Sequence, residues 1–248
     1  MKNIILASFL FLILFFLGCK KKENSSNSTT TSNNSTPTST VQVYNGQLQA
    51  ERYITWNANI PSNAMYAFKG FLSIPAGSVI LTSASKEGTL KANGTNLGFM
   101  SSINMYYDST GTISFAAQRN FQLISSTLPS FTYNNPDTFQ VYPPSLAIQI
   151  NDSLDKTKNY IIPLSGLSYY SEAICLLSPV SNAANFVAKT VPAGSTQITF
   201  SPADFSPFTS GTFLTCRLVL KRFNTQTFSG KNFKFECNAY NDFVIWFY

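Results

Sequence analysis

TFLTCRLVLKRFNTQTFSGKNFKFECNAY, residues 212–240, decides the fold. It holds two extended runs, Thr212–Phe223 and Asn232–Tyr240, joined by Asn224–Lys231. On the first, Leu214, Cys216, Leu218 and Leu220 share one face, and Thr215, Arg217 and Lys221 the other. On the second, Phe233, Phe235, Cys237 and Ala239 oppose Lys234, Glu236 and Asn238. A period of two with one apolar face is the pattern of a half-buried strand. The segment therefore predicts an antiparallel hairpin. A turn centred near Gln226 sets Cys216 across from Cys237, both facing inward, and predicts a cross-strand disulfide. Such a bridge contributes about 3 kcal/mol in the loop-entropy account. Reduced core thiols are the alternative. Cys175, on an apolar face with Ala173 and Leu177, competes as a partner. Three cysteines follow Cys19, so at least one stays unpaired within a monomer.

Working backward, Asn159–Leu167, Glu172–Ser178, Phe186–Val191 and Thr196–Phe200 read as short strands. Ser201-Pro202-Ala203-Asp204 reads as a capped helical turn, with serine as N-cap, proline at the first position and aspartate three on. Phe205 and Phe208 would pin that turn to the core. The chain ends on FVIWFY, residues 243–248, where Trp246 reads as a core side chain. This order, about seven strands with a helical turn before a long final hairpin, resembles immunoglobulin-like or fibronectin-like domains over residues 140–248. The resemblance implies a β-sandwich and carries no functional residue.

The first half is also strand-rich. Val41–Trp56 predicts a strand or a hairpin around Asn45-Gly46, and Met65–Ile74 a second strand. Val79–Ser85 continues extended. Gly88–Met100 predicts a hairpin turning at Asn93-Gly94. Ile103–Tyr107 and Ile113–Phe115 flank a turn at 108–111, and Gln118–Ile124 adds one more strand. PSFTYNNPDTFQVYPP, residues 129–144, carries four prolines among polar turn residues and reads as a loop or interdomain connection. The fold class expected is all-β: antiparallel β-sandwich domains in tandem, at 41–139 and 140–248, the second immunoglobulin-like. Pro-Ala-Gly-Ser occurs at 75–78 and again at 192–195, either as a trace of duplication or as one good turn used twice.

The start of the chain speaks of location. Lys2 precedes an apolar run, Ile4–Leu17, broken only by Ser8. At ~14 residues it is short of the ~20 that cross a bilayer as a helix, and it reads as a secretory leader over 1–18. Leu17-Gly18-Cys19 resembles the lipobox of bacterial lipoproteins, although Phe16 and Leu17 depart from its commonest residues. The resemblance implies cleavage before Cys19 and acylation of its sulfur. Such a chain is anchored to the membrane, with about 0.8 kcal/mol from each buried methylene. Lys20, Lys21 and Lys22 would then sit at the headgroups. Asn24–Thr40 is Ser, Thr and Asn broken by Pro37, with nothing apolar to bury, so 19–40 reads as a disordered tether. The expected address is the cell envelope, most simply the outer membrane, with either periplasmic or surface display.

Composition narrows the chemistry. The chain has no histidine, 11% charged residues and 15% aromatics. Ser–His–Asp and Cys–His nucleophiles are excluded, as are histidine metal sites. The net charge of +6 comes partly from the leader and tether, and the remaining basic residues are scattered, which speaks against nucleic acid. Ser83-Ala84-Ser85-Lys86 fits S-x-x-K, but S-D-N and K-T-G are missing and the stretch is β-rich. Asn151, Asp152 and Asp155 lack EF-hand spacing and read as a solvated turn. No cofactor or metal is expected. Asp108-Ser109-Thr110 and Asp152-Ser153-Leu154 resemble a short O-glycosylation motif of some envelope proteins. Trp56, Tyr66, Tyr106, Tyr107, Tyr169 and Tyr170 fall in or near predicted loops, where aromatic faces stack on sugars or anchor protein partners. The last strand also resembles that of outer-membrane barrels, but Asp242 lies on the face that lipid would cover. The leading expectation is a non-catalytic, lipid-anchored binding or adhesion protein whose partner is a glycan or a protein. The alternatives are a glycan-binding accessory of a sugar-uptake system and an envelope hydrolase using carboxylates alone.

Overall fold

The computed structural model describes residues 44–57, 60–72, 86, 88–102 and 105–248, with the side chains of 57 and 60–72 excepted. The leader, Cys19, the tether, the turn at 75–78, the strand expected at 79–85, most of the S-x-x-K stretch and the Tyr66 side chain lie outside that description.

The terminal hairpin is the spine. Strands β14 (Thr212–Phe228) and β15 (Lys231–Phe247) are 17 residues each and pair along their whole length. They turn at Ser229-Gly230, both at positive φ, 46° and 76°. A two-residue turn of this kind matches the twist of the strands it joins. The expected centre near Gln226 is thus displaced, and the register moves with it. Cys216 pairs with Phe243, and Cys237 with Arg222. The Cys216–Cys237 disulfide is therefore corrected: the two lie far apart along the ladder, and Cys175, Cys216 and Cys237 are buried and unbridged in this structure.

Around this hairpin runs one large sheet. Strands β1 (Gly46–Asn57) and β2 (Ile60–Leu72) form an antiparallel pair, so the hairpin considered at Asn45-Gly46 is instead the start of one strand. β1 then pairs with β15 in parallel, from Gly46↔Phe233 to Thr55↔Asp242. Beyond β2 come β6 (Met105–Tyr107) and β5 (Gly98–Met100). On the other side of β14 lie β11 (Glu172–Pro179) and β12 (Val187–Pro192). The order is β12-β11-β14-β15-β1-β2-β6-β5, with β9 (Ser153–Leu154) beside the end of β15. Among the described residues the path is open, with β12 and β5 as its ends.

Two small sheets cover one face of it. The four-stranded sheet β4-β3-β7-β8 contains β3 (Thr89–Ala92), β4 (Thr95–Asn96), β7 (Asn120–Ile124) and β8 (Phe131–Asn134). Its Leu90, Phe121, Leu123 and Phe131 pack on Leu48, Ala50, Phe233, Phe235 and Cys237. The expected turn at Asn93-Gly94 joins β3 to β4, whereas Ile113–Phe115 is irregular, with Ile113 and Phe115 buried on either side of an exposed Ser114. The pair β10 (Tyr160–Pro163) and β13 (Gln197–Phe200) packs on Leu214, Cys216, Leu218, Phe243 and Phe247. Alternate residues of β15 thus feed both cores. Val43–Tyr248 form one compact unit, and the boundary expected at 139/140 does not cut the central sheet. The parallel β1–β15 ladder is the reason: it joins the first expected domain to the last strand of the second. The architecture is all-β and sandwich-like, two small sheets layered on a large one.

The connections are short-range. Ser201 caps a 3-10 turn, Pro202–Phe205, its N–H donating to Asp204 Oδ2 at 2.7 Å, and Phe205 and Phe208 are buried as expected. The proline-rich stretch contains β8, an irregular run to Pro143 and one helical turn, α1 (Pro144–Ala147). Phe139 in that run packs against both cores.

Candidate functional site

The parallel ladder from β1 reaches β15 only as far as Asp242. The ladder from β9 begins at Trp246, whose N–H donates to the Asp152 carbonyl at 2.7 Å. Residues 243–245 therefore lie between two strand partners on that side. A cleft of about 450 Å³ opens there. Buried Trp56, Ile150, Phe243 and Ile245 line it, with Trp56 and Phe243 stacked at 5.7 Å. Phe213, Val244 and Trp246 line it with exposed side chains, 55%, 57% and 38% accessible. Phe213 and Trp246 are register partners, and their rings meet edge-to-face at 4.8 Å. Asn151, Asp152 and Ser153 supply a polar wall.

Trp246 was expected in the core. It is exposed because of strand parity: Phe243, Ile245 and Phe247 take the inward positions, leaving Val244, Trp246 and Tyr248 on the opposite face. That parity was the signal available for finding this site from the sequence. Of the expected aromatics whose side chains are described, only Trp56 reaches the cleft, and as a buried β1 residue, 4% exposed, whose indole Nε1 donates to Asn241 Oδ1 at 3.4 Å. Tyr106 is buried on β6 and donates to the Gly88 carbonyl at 3.0 Å. Tyr107, half-buried, follows it on the same strand. Tyr170 is buried and donates to the Ser195 carbonyl at 3.1 Å. Tyr169 is partly exposed, but the Arg222 guanidinium lies 4.7 Å over its ring and its hydroxyl donates to Asp137 Oδ1 at 3.3 Å. These four tyrosines do not converge.

Farther along the Trp246 face of β15 the surface changes from apolar to a buried polar row that the sequence reading missed. Arg217 holds Asp242 through two hydrogen bonds, 2.7 and 2.6 Å. Tyr240 donates to Glu51 Oε1 at 2.9 Å, Tyr53 donates to Oε2, and the two tyrosine rings stack at 4.7 Å. Burial, reinforced by the Glu51 carboxylate, pushes both tyrosine pKa values well above the ordinary range. Glu236 is fully buried. Burial alone would raise its pKa, but the Lys221 and Lys234 ammonium groups and the Asn238 amide outweigh that and lower it. Charges this deep persist only when paired.

The cleft is suited to binding. It offers a rigid aromatic pair and backbone-fixed polar groups, and Asp152 is the one carboxylate among its described lining residues. Among the described residues no cluster of histidine, cysteine or carboxylate side chains is arranged to hold a metal ion. No helix among them is long and apolar enough to cross a membrane. Compared with known proteins, the chain matches no family model and no curated protein.

Proposed function

We propose that this chain is a lipid-anchored protein of the cell envelope that binds a glycan, without turning it over, in the cleft at the end of β15. The observation that carries the reading is the exposed Phe213–Trp246 pair beside the polar wall of Asn151, Asp152 and Ser153. A pyranose ring has one apolar face and a rim of hydroxyls. An aromatic face takes the first, and amide, carboxylate and hydroxyl groups take the second. Retaining and inverting glycosidases need two facing carboxylates, which favours binding over hydrolysis here. Role and address agree: acyl chains on Cys19 and the hydroxyl-rich tether at 19–40 would hold the folded unit near the envelope surface, where glycans are displayed.

A glycan array followed by calorimetry on the full-length protein tests the site. Saturable binding to a defined sugar, lost in Trp246→Ala and in Phe213→Ala, is expected. Both side chains are exposed, so both variants should fold. Trp56→Ala is a poorer probe because Trp56 is packed against Phe243. Binding unchanged by both substitutions, or turnover abolished by Asp152→Asn, would overturn the reading. The anchor is tested apart: Cys19→Ser should move the protein from the detergent phase to the aqueous phase.

A further inference from the structure

We propose that Cys175 and Cys216 form a disulfide in the mature protein, tying β11 to β14, while Cys237 stays a thiol. Their sulfurs lie 3.5 Å apart in the core between the large sheet and the β10–β13 pair. The strands are hydrogen-bonded neighbours, with Cys175 opposite Leu218 and Cys216 opposite Leu177, so the two thiols are diagonal partners on the same inward face. Closing the gap to a bond of ~2.05 Å asks about 1.5 Å of movement, and because diagonal neighbours stand about 7–8 Å apart at Cα the two strands must draw together as the bond forms. Among the described residues Cys237 has no such neighbour. It sits in the other core, and its thiol donates to the Asp137 carbonyl at 3.3 Å. Three cysteines thus resolve into one pair and one remainder by position alone.

The chemistry is a two-electron exchange. A disulfide oxidant of the envelope takes both electrons: the two Cys–SH groups become one S–S bond, and the oxidant's disulfide becomes two thiols that carry the protons. Thiolate is the attacking species. Burial, with the adjacent Cys216 thiol, pushes the Cys175 pKa well up, so the finished core is unreactive and the bridge forms while the chain folds. Natural oxidation therefore depends on the exported address proposed above, but the pairing can be tested without it.

The full-length protein is unfolded, reduced, and refolded in a buffer of reduced and oxidised glutathione. Alkylation under denaturing conditions then reads free thiols, and peptide mapping reads the link. The expected result is a Cys175–Cys216 peptide, with Cys237 alkylated. The bridged form should melt several degrees higher than the same sample after reduction, and a Cys175→Ser, Cys216→Ser double variant should lose that difference. All three core cysteines alkylated, or a link that includes Cys237, would overturn the pairing. A second sample, isolated from the envelope of expressing cells, tests the address. A bridge formed in the refolding buffer but missing there would count against export and leave the pairing standing.

Discussion

Tyr240 donates a 2.9 Å hydrogen bond to Glu51 across a parallel strand pair, between residues 189 positions apart in the chain. The contact lies where the first strands of the unit join the last ones within the large sheet. β1 begins the described unit and β15 nearly ends it, and their shared face carries Glu51, Tyr53, Tyr240 and Asp242, joined by Arg217 of the neighbouring β14, which holds Asp242 and lies over the Tyr240 ring, as one connected polar row. Such a row fixes which strand lies beside which, because a slipped register would bury its charges unpaired.

Alkali should therefore unfold the protein through its tyrosines. The folded-state pKa values of Tyr53 and Tyr240 are raised above the ordinary value near 10. A raised value favours the folded state below pH ~10. That advantage is lost as the pH climbs through the folded values, by about 1.4 kcal/mol per unit for each tyrosine. Urea midpoints measured from pH 7 to 11.5 should be level and then fall steeply. Tyr240→Phe should cost about 1.5–3 kcal/mol at pH 7, the worth of a hydrogen bond to a charged group, and should make the alkaline fall shallower. An unchanged alkaline slope in the variant would count against the tyrosine origin.

Acid should act through Glu236. Its folded-state pKa is lowered, against the cost of burial, by Lys221, Lys234 and Asn238. A lowered value contributes stability above the unfolded value of about 4.3, and that contribution disappears as the pH falls through the folded value. Asp204, held low first by Lys189 and then by its cap bonds to Ser201, has the same sign. Glu236→Gln should lower stability at pH 7 by about 3 kcal/mol, because the partly buried Lys234 loses its counter-charge. The variant should then lose less than the parent between pH 5 and 3. A variant that loses as much over that range would show that acid acts elsewhere.

How much of this was legible in the sequence depended on locality. The alternation of Leu214–Leu220 and Phe233–Ala239 named the spine, and Ser201–Asp204 named its cap, because both signals lie within a few residues. The register failed by six positions because Asn224–Thr227, polar on both faces, read as a loop. In fact it continues β14 to a two-residue Ser-Gly turn. The domain boundary failed because a parallel pairing of the two ends of the unit leaves no local trace. The cleft was written in parity, Val244 and Trp246 against Phe243 and Ile245, but a wholly apolar run hides which parity faces inward.

Two glycines at similar φ separate strain from collision. Gly88 has φ +93°, and a Cβ there would fall 2.1 Å from the Ile124 carbonyl oxygen, where β3 meets β7. Gly94 has φ +82° and open space around it. Gly94→Ala should cost about 1–2 kcal/mol, the left-handed penalty alone. Gly88→Ala should cost more than about 3 kcal/mol, because backbone must move as well. Equal urea midpoints for the two variants would contradict the close approach at Gly88.

Asp137 should matter out of proportion to its place in an irregular segment. One oxygen accepts Arg222 Nε at 3.1 Å and the Tyr169 hydroxyl at 3.3 Å, and the other accepts Asn224 Nδ2 at 2.7 Å. Two residues on, Phe139 packs against both cores, so these bonds hold down the stretch that spans them. Asp137→Ala strands three donors, one of them a cation, and should cost about 2–4 kcal/mol. Its amides from 138 to 142 should exchange hydrogen faster while those of β14 and β15 change little. Asp108→Ala is the comparison: that carboxylate caps an exposed turn through Thr110 and the Ile113 amide, and its loss should cost about 1 kcal/mol. If the two variants unfold at the same urea concentration, Asp137 is an ordinary turn residue and the segment is held by Phe139 alone.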